Sequence, residues 1–186
     1  MRRVEVTKRR VSFADLQRMP DDGHRYELYD GELRVVPSPF PMHQLVVRRL
    51  METLLAFSRT TGGQVFDAPF DIVLTDYDVV EPDLIYFGIE AMARMKPWEH
   101  VRFPPDLAVE VLSPSTRRID RGRKSELLAR HGVPEYWLVD PEVRTFEVRL
   151  EREGRYPDPI VLTEGRYESV TLPGLILELA PLFVWP

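Results

Sequence analysis

Two acids and one lysine each interrupt a pattern that would otherwise be apolar. Asp83 lies in "VVEPDLIYF", where an apolar run that reads as a central strand begins, and Pro82 biases Glu81 towards extended backbone. Glu110 lies inside "LAVEVL", the next such run, on the strand face of Ala108 and Leu112, while Val109 and Val111 point the other way. A buried carboxylate without a partner is costly or gives up its charge. If the two strands pair, the acids come close together, and one pKa climbs strongly unless a cation lies between them. Oxygen ligands with no cysteine and no histidine cluster suit a hard ion, Mg²⁺ or Mn²⁺.

Lys124, in "RIDRGRKSELLARHG", supplies the third group. On a helix it stacks with Asp120, Leu127, Leu128 and His131, whereas Arg123, Glu126 and Arg130 turn away. All but three of the 25 basic residues are arginine (the lysines are Lys8, Lys96 and Lys124), so a lysine on the inward stripe is a marked choice. A compact, hydrated amine holds a water molecule better than a planar guanidinium does. Each of the three also has a purely structural reading. Asp83 can accept hydrogen bonds from the loop at its strand start, Glu110 can pair with a nearby arginine, and Lys124 can form an i,i+4 pair with Asp120 on a solvated face.

Other polar groups carry weaker signals. Arg117, Arg118, Arg121 and Arg123 crowd the loop and first turns before Lys124, where they can hold backbone phosphates or simply form a solvated surface. His43 in "SPFPMHQL" opens a long helix, a place suited to anion contact, with an ordinary surface histidine as the alternative. His24, His100 and His131 lack ligand spacing, which argues against zinc. Ser113 and Ser115 lack a Gly-x-Ser-x-Gly surround and read as loop and cap residues.

The elements that must position these groups follow from periodicity. "FADLQRMP" reads as a short helix, and "RYELYDGELRVV" as a hairpin turning on Asp30-Gly31. Val46, Leu50, Thr53, Leu54 and Phe57 recur at helical spacing over Met42–Gly63, ended by Gly62-Gly63. "QVFDAPFDIVL", "DVVEPDLIYFG", "DLAVEVL", "PEYWLVD" and "RTFEVRL" read as strands, with Tyr136 and Trp137 as core; Gly132 ends the Lys124 helix. A last strand lies in the tail from Arg166 to Pro186. The class is α/β or α+β, a sheet with helices packed on it, in a single domain over residues 1–186.

Composition narrows the setting. With 44% hydrophobic and 30% charged residues, the chain has the profile of a soluble globular protein. No apolar run approaches the ~20 residues that span a bilayer, and "MRRVEVTKRR" has no apolar segment behind it to make a secretory signal. Zero cysteines fit a reducing cytoplasm, the expected location. A net charge of -5 gives no global attraction for nucleic acid, so an anionic partner needs a local basic patch or bound cations.

Several blocks carry a family likeness. "YELYDGEL", "VVEPDLIYF", "PPDLAVEVLSPSTRRIDRGRK" and "GVPEYWLVDPE" resemble the Uma-type family of candidate endonucleases, assigned to the PD-(D/E)XK, or restriction-endonuclease-like, superfamily. The likeness runs from the first hairpin to "LPGLILELAPLF". It implies a mixed central sheet flanked by helices and a Mg²⁺-dependent (or Mn²⁺-dependent) endonuclease acting on DNA. By the same resemblance Asp83 and Glu110 look like the motif acids, ligating the metal with the Val111 carbonyl. The superfamily's lysine would fall at Leu112, which cannot serve; its place is taken by Lys124, moved to the following helix. Glu27 or Glu32 resembles an additional acid, with Glu32 slightly ahead. A homodimer is an expectation from the need to cut two strands. The alternatives are a non-catalytic module that keeps the fold for binding nucleic acid or protein, and a hydrolase of a small phosphate ester.

Overall fold

The structure, a computed structural model, describes residues 10–186. Residues 1–9, where most of the basic N-terminal segment falls, lie outside the described residues. The short helix α1 (Phe13–Leu16) begins at a capping box, with the Ser12 side chain accepting from Asp15 N–H and the Asp15 carboxylate accepting from Ser12 N–H. Next comes the hairpin of β1 (Arg25–Tyr29) and β2 (Glu32–Val36). Asp30 and Gly31 have φ of 51° and 79°, the left-handed pair that a two-residue hairpin turn requires.

The long helix α2 (Pro41–Thr61) starts on a proline, whose missing N–H has no helical partner to lose, and ends at Gly62 in the left-handed region. Its stripe of Val46, Leu50 and Leu54 is fully buried. Strands β3 (Gln64–Asp67), β4 (Ile72–Thr75), β5 (Asp78–Val80) and β6 (Leu84–Phe87) follow, then α3 (Ile89–Met92) and β7 (Leu107–Val111). Two runs that read as continuous strands are each divided. "QVFDAPFDIVL" becomes β3 and β4, and "DVVEPDLIYFG" becomes β5 and β6, with each pair shared between two sheets. Pro69 and Pro82 stand at the breaks; neither can donate to a strand ladder, so the pairing stops there and the chain changes sheet.

After β7 the chain forms a short helical turn, α4 (Arg117–Ile119), then a π-helical turn (Asp120–Lys124) and α5 (Ser125–Arg130). Strands β8 (Glu135–Asp140), β9 (Thr145–Leu150), β10 (Ile160–Leu162), β11 (Arg166–Glu168) and β12 (Ile176–Glu178) complete the order, followed by a 3-10 turn (Ala180–Phe183). The tail thus holds a two-stranded hairpin rather than the one strand expected.

The central sheet has the order β10-β9-β8-β7-β6-β3 and is mixed: β7 and β8 run parallel, their neighbours antiparallel. A second, antiparallel sheet has the order β2-β1-β5-β4. Alternation along the central strands feeds two cores. Tyr86, Val109, Val111, Trp137 and Val139 pack on α2 and the tail hairpin. Ile85, Ala108, Tyr136 and Leu138 pack on Leu127 and Leu128 of α5 and on Tyr29 and Val80 of the second sheet. The fold is therefore a mixed α+β sheet with helices on its faces. Among the described residues, no helix is long and apolar enough to cross a membrane.

Candidate active site

Glu110 projects from β7 on the Ala108 face, toward α5 and the second sheet. Asp83 lies immediately before β6, the antiparallel neighbour of β7, and its Oδ2 accepts the Val111 N–H at 2.8 Å. That bond ties the acid to the end of β7. His43, from the first turn of α2, brings Nε2 within 3.0 Å of the same oxygen.

Lys124 enters from the π-helical turn. Its ammonium contacts Glu110 Oε1 and lies 2.6 Å from Glu27 Oε1. The Glu27 carboxylate is further held by the Tyr29 hydroxyl, which donates to Oε2 at 2.6 Å, and by Glu81 N–H, which donates to Oε1 at 2.8 Å. Asp83, Glu110, Val111, Lys124, Glu27 and Asp120 all line one recess of about 160 Å³.

Of the two hairpin acids, Glu27 enters the recess and Glu32 does not. The difference is distance along the strand, since the register pairs Tyr29 with Glu32 and Glu27 with Arg34, which puts all four on one face. Glu32 sits at the exposed tip of the hairpin and is paired there with Arg34 and Arg123. His43 is not a surface histidine; it is packed against Asp83, with Nδ1 buried and without a hydrogen-bond partner.

The four arginines divide. Arg117 pairs with Asp140 and Glu142, Arg121 with Glu147 and Asp140, and Arg123 with Glu32 while also donating to the Tyr29 carbonyl. Asp140 is only 1% exposed, so Arg117 and Arg121 serve as its counter-charges. Arg118 is exposed on the rim, beside Arg34 and Ser115.

The electrostatics follow from this burial. Burial raises the Glu110 carboxyl well above its ordinary value; Lys124 opposes that shift, and the negative charges of Asp83, Asp120 and Glu27 add to it. For Lys124, burial alone would lower the value, but Glu110 and Glu27 outweigh it and hold the group well above the ordinary lysine range. In this linked set Lys124 stays an ammonium, and burial together with the surplus negative charge makes Glu110 the acid most ready to take up a proton. Asp120, 2% exposed, is also raised, to about 6, by burial above all; Lys124 and Thr116 counter it in part. Its Oδ2 is buried with no hydrogen-bond partner. Asp120 was legible from sequence only as the i−4 neighbour of Lys124. The signal for a larger role was its place on the inward stripe.

Five carboxylates (Glu27, Glu81, Asp83, Glu110 and Asp120) thus line a recess with one ammonium and two guanidiniums, Arg25 and Arg34, an excess of negative charge that a divalent cation would relieve. Among the described residues no three His, Cys, Asp or Glu side chains converge as a ready-made metal cluster. The donor set fits a hard ion that keeps several waters, with two carboxylates and a backbone carbonyl as protein ligands.

A family model described as "Uma2: Putative restriction endonuclease" matches residues 13–180. The chain is also similar to a solved structure described as a "putative nuclease belonging to DUF820" from Anabaena variabilis ATCC 29413. The two share 18% identity with a TM-score of 0.80, over 93% of this chain and 97% of that one, a likeness of fold. Among curated proteins, none matches this chain.

Proposed function

This chain belongs to the Uma2 family, and from that premise we propose that the recess is the active site of a divalent-cation-dependent endonuclease hydrolysing DNA phosphodiesters. The observation that carries the proposal is the meeting of Asp83, immediately before β6, Glu110, on its partner strand β7, and Lys124, from a helical turn, around one recess with surplus negative charge.

Asp83 and Glu110, with the Val111 carbonyl, would hold Mg²⁺ or Mn²⁺. When bound, such an ion neutralises phosphate charge and acidifies a coordinated water. The protein groups do the rest. Val111 N–H and His43 fix one oxygen of Asp83, which leaves the other for ligation. Glu27 and Glu110 aim the Lys124 ammonium, and its third N–H is available to a phosphate oxygen in the transition state. This assigns the migrated lysine the work of the residue that Leu112 replaces. Arg118 on the rim, with Arg34 and Arg25 along the recess wall, would hold flanking phosphates.

The test is cleavage of plasmid and single-stranded DNA with Mg²⁺ or Mn²⁺, paired with Mn²⁺ calorimetry. Asp83→Ala and Glu110→Ala should each abolish cleavage and Mn²⁺ binding together. Unchanged cleavage in both variants would remove this recess as the site.

A further inference from the structure

Hydrolysis needs a group that accepts the proton of the attacking water, and Lys124 cannot be that group. An ammonium has no lone pair, and two carboxylates hold this one in its charged form. The acids around it are mostly committed. Glu27 accepts from Lys124, the Tyr29 hydroxyl and Glu81 N–H. Asp83 Oδ2 accepts from Val111 N–H and contacts His43. Glu110 balances Lys124. Two other acids of the recess keep a buried oxygen without a hydrogen-bond partner: Glu81, whose Oε2 lies 3.8 Å from Arg25, and Asp120, whose Oδ2 belongs to the same helical turn as Lys124.

Resting on the reading of this recess as a phosphodiester-hydrolysing site, we infer that Asp120 is a catalytic residue, the base that takes the proton from the water attacking phosphorus. Its position supports this. Asp120 opens the π-helical turn that Lys124 closes, so one local element presents both the ammonium that faces the phosphate and the anion that deprotonates the attacking water. Asp120 shares the electrostatic field of Glu110, Glu27 and Asp83, each from a different strand or loop. Tyr136 of β8 anchors the turn by donating to the Asp120 carbonyl. A carboxyl raised to about 6 is also a better base than an ordinary aspartate near neutral pH. His43 Nδ1 is also unpartnered, but that ring comes from α2 and its Nε2 sits against Asp83 rather than beside Lys124.

In the step, the water oxygen bonds to phosphorus as the bond to the leaving oxygen breaks. The water's proton passes to Asp120 Oδ2, and the departing alkoxide is protonated from solvent. One water is consumed, giving a phosphate monoester and an alcohol.

The experiment measures kcat for DNA cleavage, Mn²⁺ affinity and thermal melting in the wild type, Asp120→Asn, Asp120→Ala and His43→Ala. Asp120→Asn should fold, bind Mn²⁺ with affinity within about twofold of wild type, and lose roughly 10²–10⁴-fold in kcat, the usual size of a general-base contribution. Formate should restore part of the rate in Asp120→Ala by occupying the vacated space as an external base. Three results would each overturn the inference with the nuclease reading intact: Asp120→Asn cleaving at near wild-type rate, loss of Mn²⁺ binding along with activity, or rescue confined to His43→Ala with imidazole. An inactive wild type would instead overturn the nuclease reading, and this inference with it.

Discussion

Lys124, in the π-helical turn after β7, and Glu27, on the first strand, meet at 2.6 Å with both side chains almost wholly buried. The contact joins the second sheet to the helical connection that crosses between the parallel strands β7 and β8. It also makes the hairpin part of the site.

Removing the ammonium should therefore cost stability as well as activity. Breaking a buried pair leaves an uncompensated charge, typically 3–5 kcal/mol. Lys124→Met should lose about that much in urea unfolding at pH 7 with EDTA present. The loss should be smaller at pH 5, because a carboxyl raised as Glu110 is takes up a proton more readily as pH falls. An equal loss at both pH values would mean that charge is not the cause.

Glu27 and Glu32 lie on one face of the hairpin but should behave differently. Glu27→Gln should reduce DNA cleavage about 100-fold or more, because it removes the anion that aims Lys124. Glu32→Gln, at the exposed tip, should stay within a few-fold. Steady-state cleavage kinetics decide between them, and a reversed order would point to Glu32 as the acid that acts.

The arginines should separate into structural and binding groups. Arg117→Ala with Arg121→Ala leaves buried Asp140 without its two counter-charges and should destabilise by about 3 kcal/mol or more. Arg118→Ala should leave stability within about 0.5 kcal/mol. In the same variant DNA affinity should fall and the log–log salt slope should drop by about 1. Filter binding across a salt series, beside thermal melts, reads both effects.

Asp120 should give the metal-free protein a measurable pH dependence. Its carboxyl moves from 3.8 to about 6 on folding, so between those values the folded chain binds the proton more readily than the unfolded one. Stability should rise as pH falls from about 7 to 4, and the charged form should be unfavourable above pH 7. Asp120→Asn should remove that part of the slope and raise stability at pH 8 by on the order of 1–3 kcal/mol. Urea titrations in EDTA at several pH values measure it; a variant less stable at pH 8 would contradict the assignment of Asp120 as a buried charge whose Oδ2 has no hydrogen-bond partner.

The local elements were readable because their signals are local. Asp30-Gly31 calls for a two-residue turn, Gly62 for a helix end, and the alternation around Glu110 for a strand with the acid on the Ala108 face. The inward stripe of Asp120, Lys124, Leu127 and Leu128 was equally plain, although its first part winds as a π turn. What failed at the local level failed at prolines. Pro69 and Pro82 ended ladders that apolar patterning alone would have continued.

Amino-acid order by itself thus determined the strands, the helical stripe and the residue types able to bind a hard cation, because periodicity and turn chemistry act over a few residues. Only the tertiary structure decided which groups share a recess. Glu27 rather than Glu32 reaches Lys124, His43 packs on Asp83, and Arg117 and Arg121 turn to Asp140. Those outcomes depend on which strands pair, and on how far along them each residue lies when two sheets and a crossover pack together. Side-chain reach is a matter of ångströms between elements distant in sequence, a quantity that no local pattern encodes.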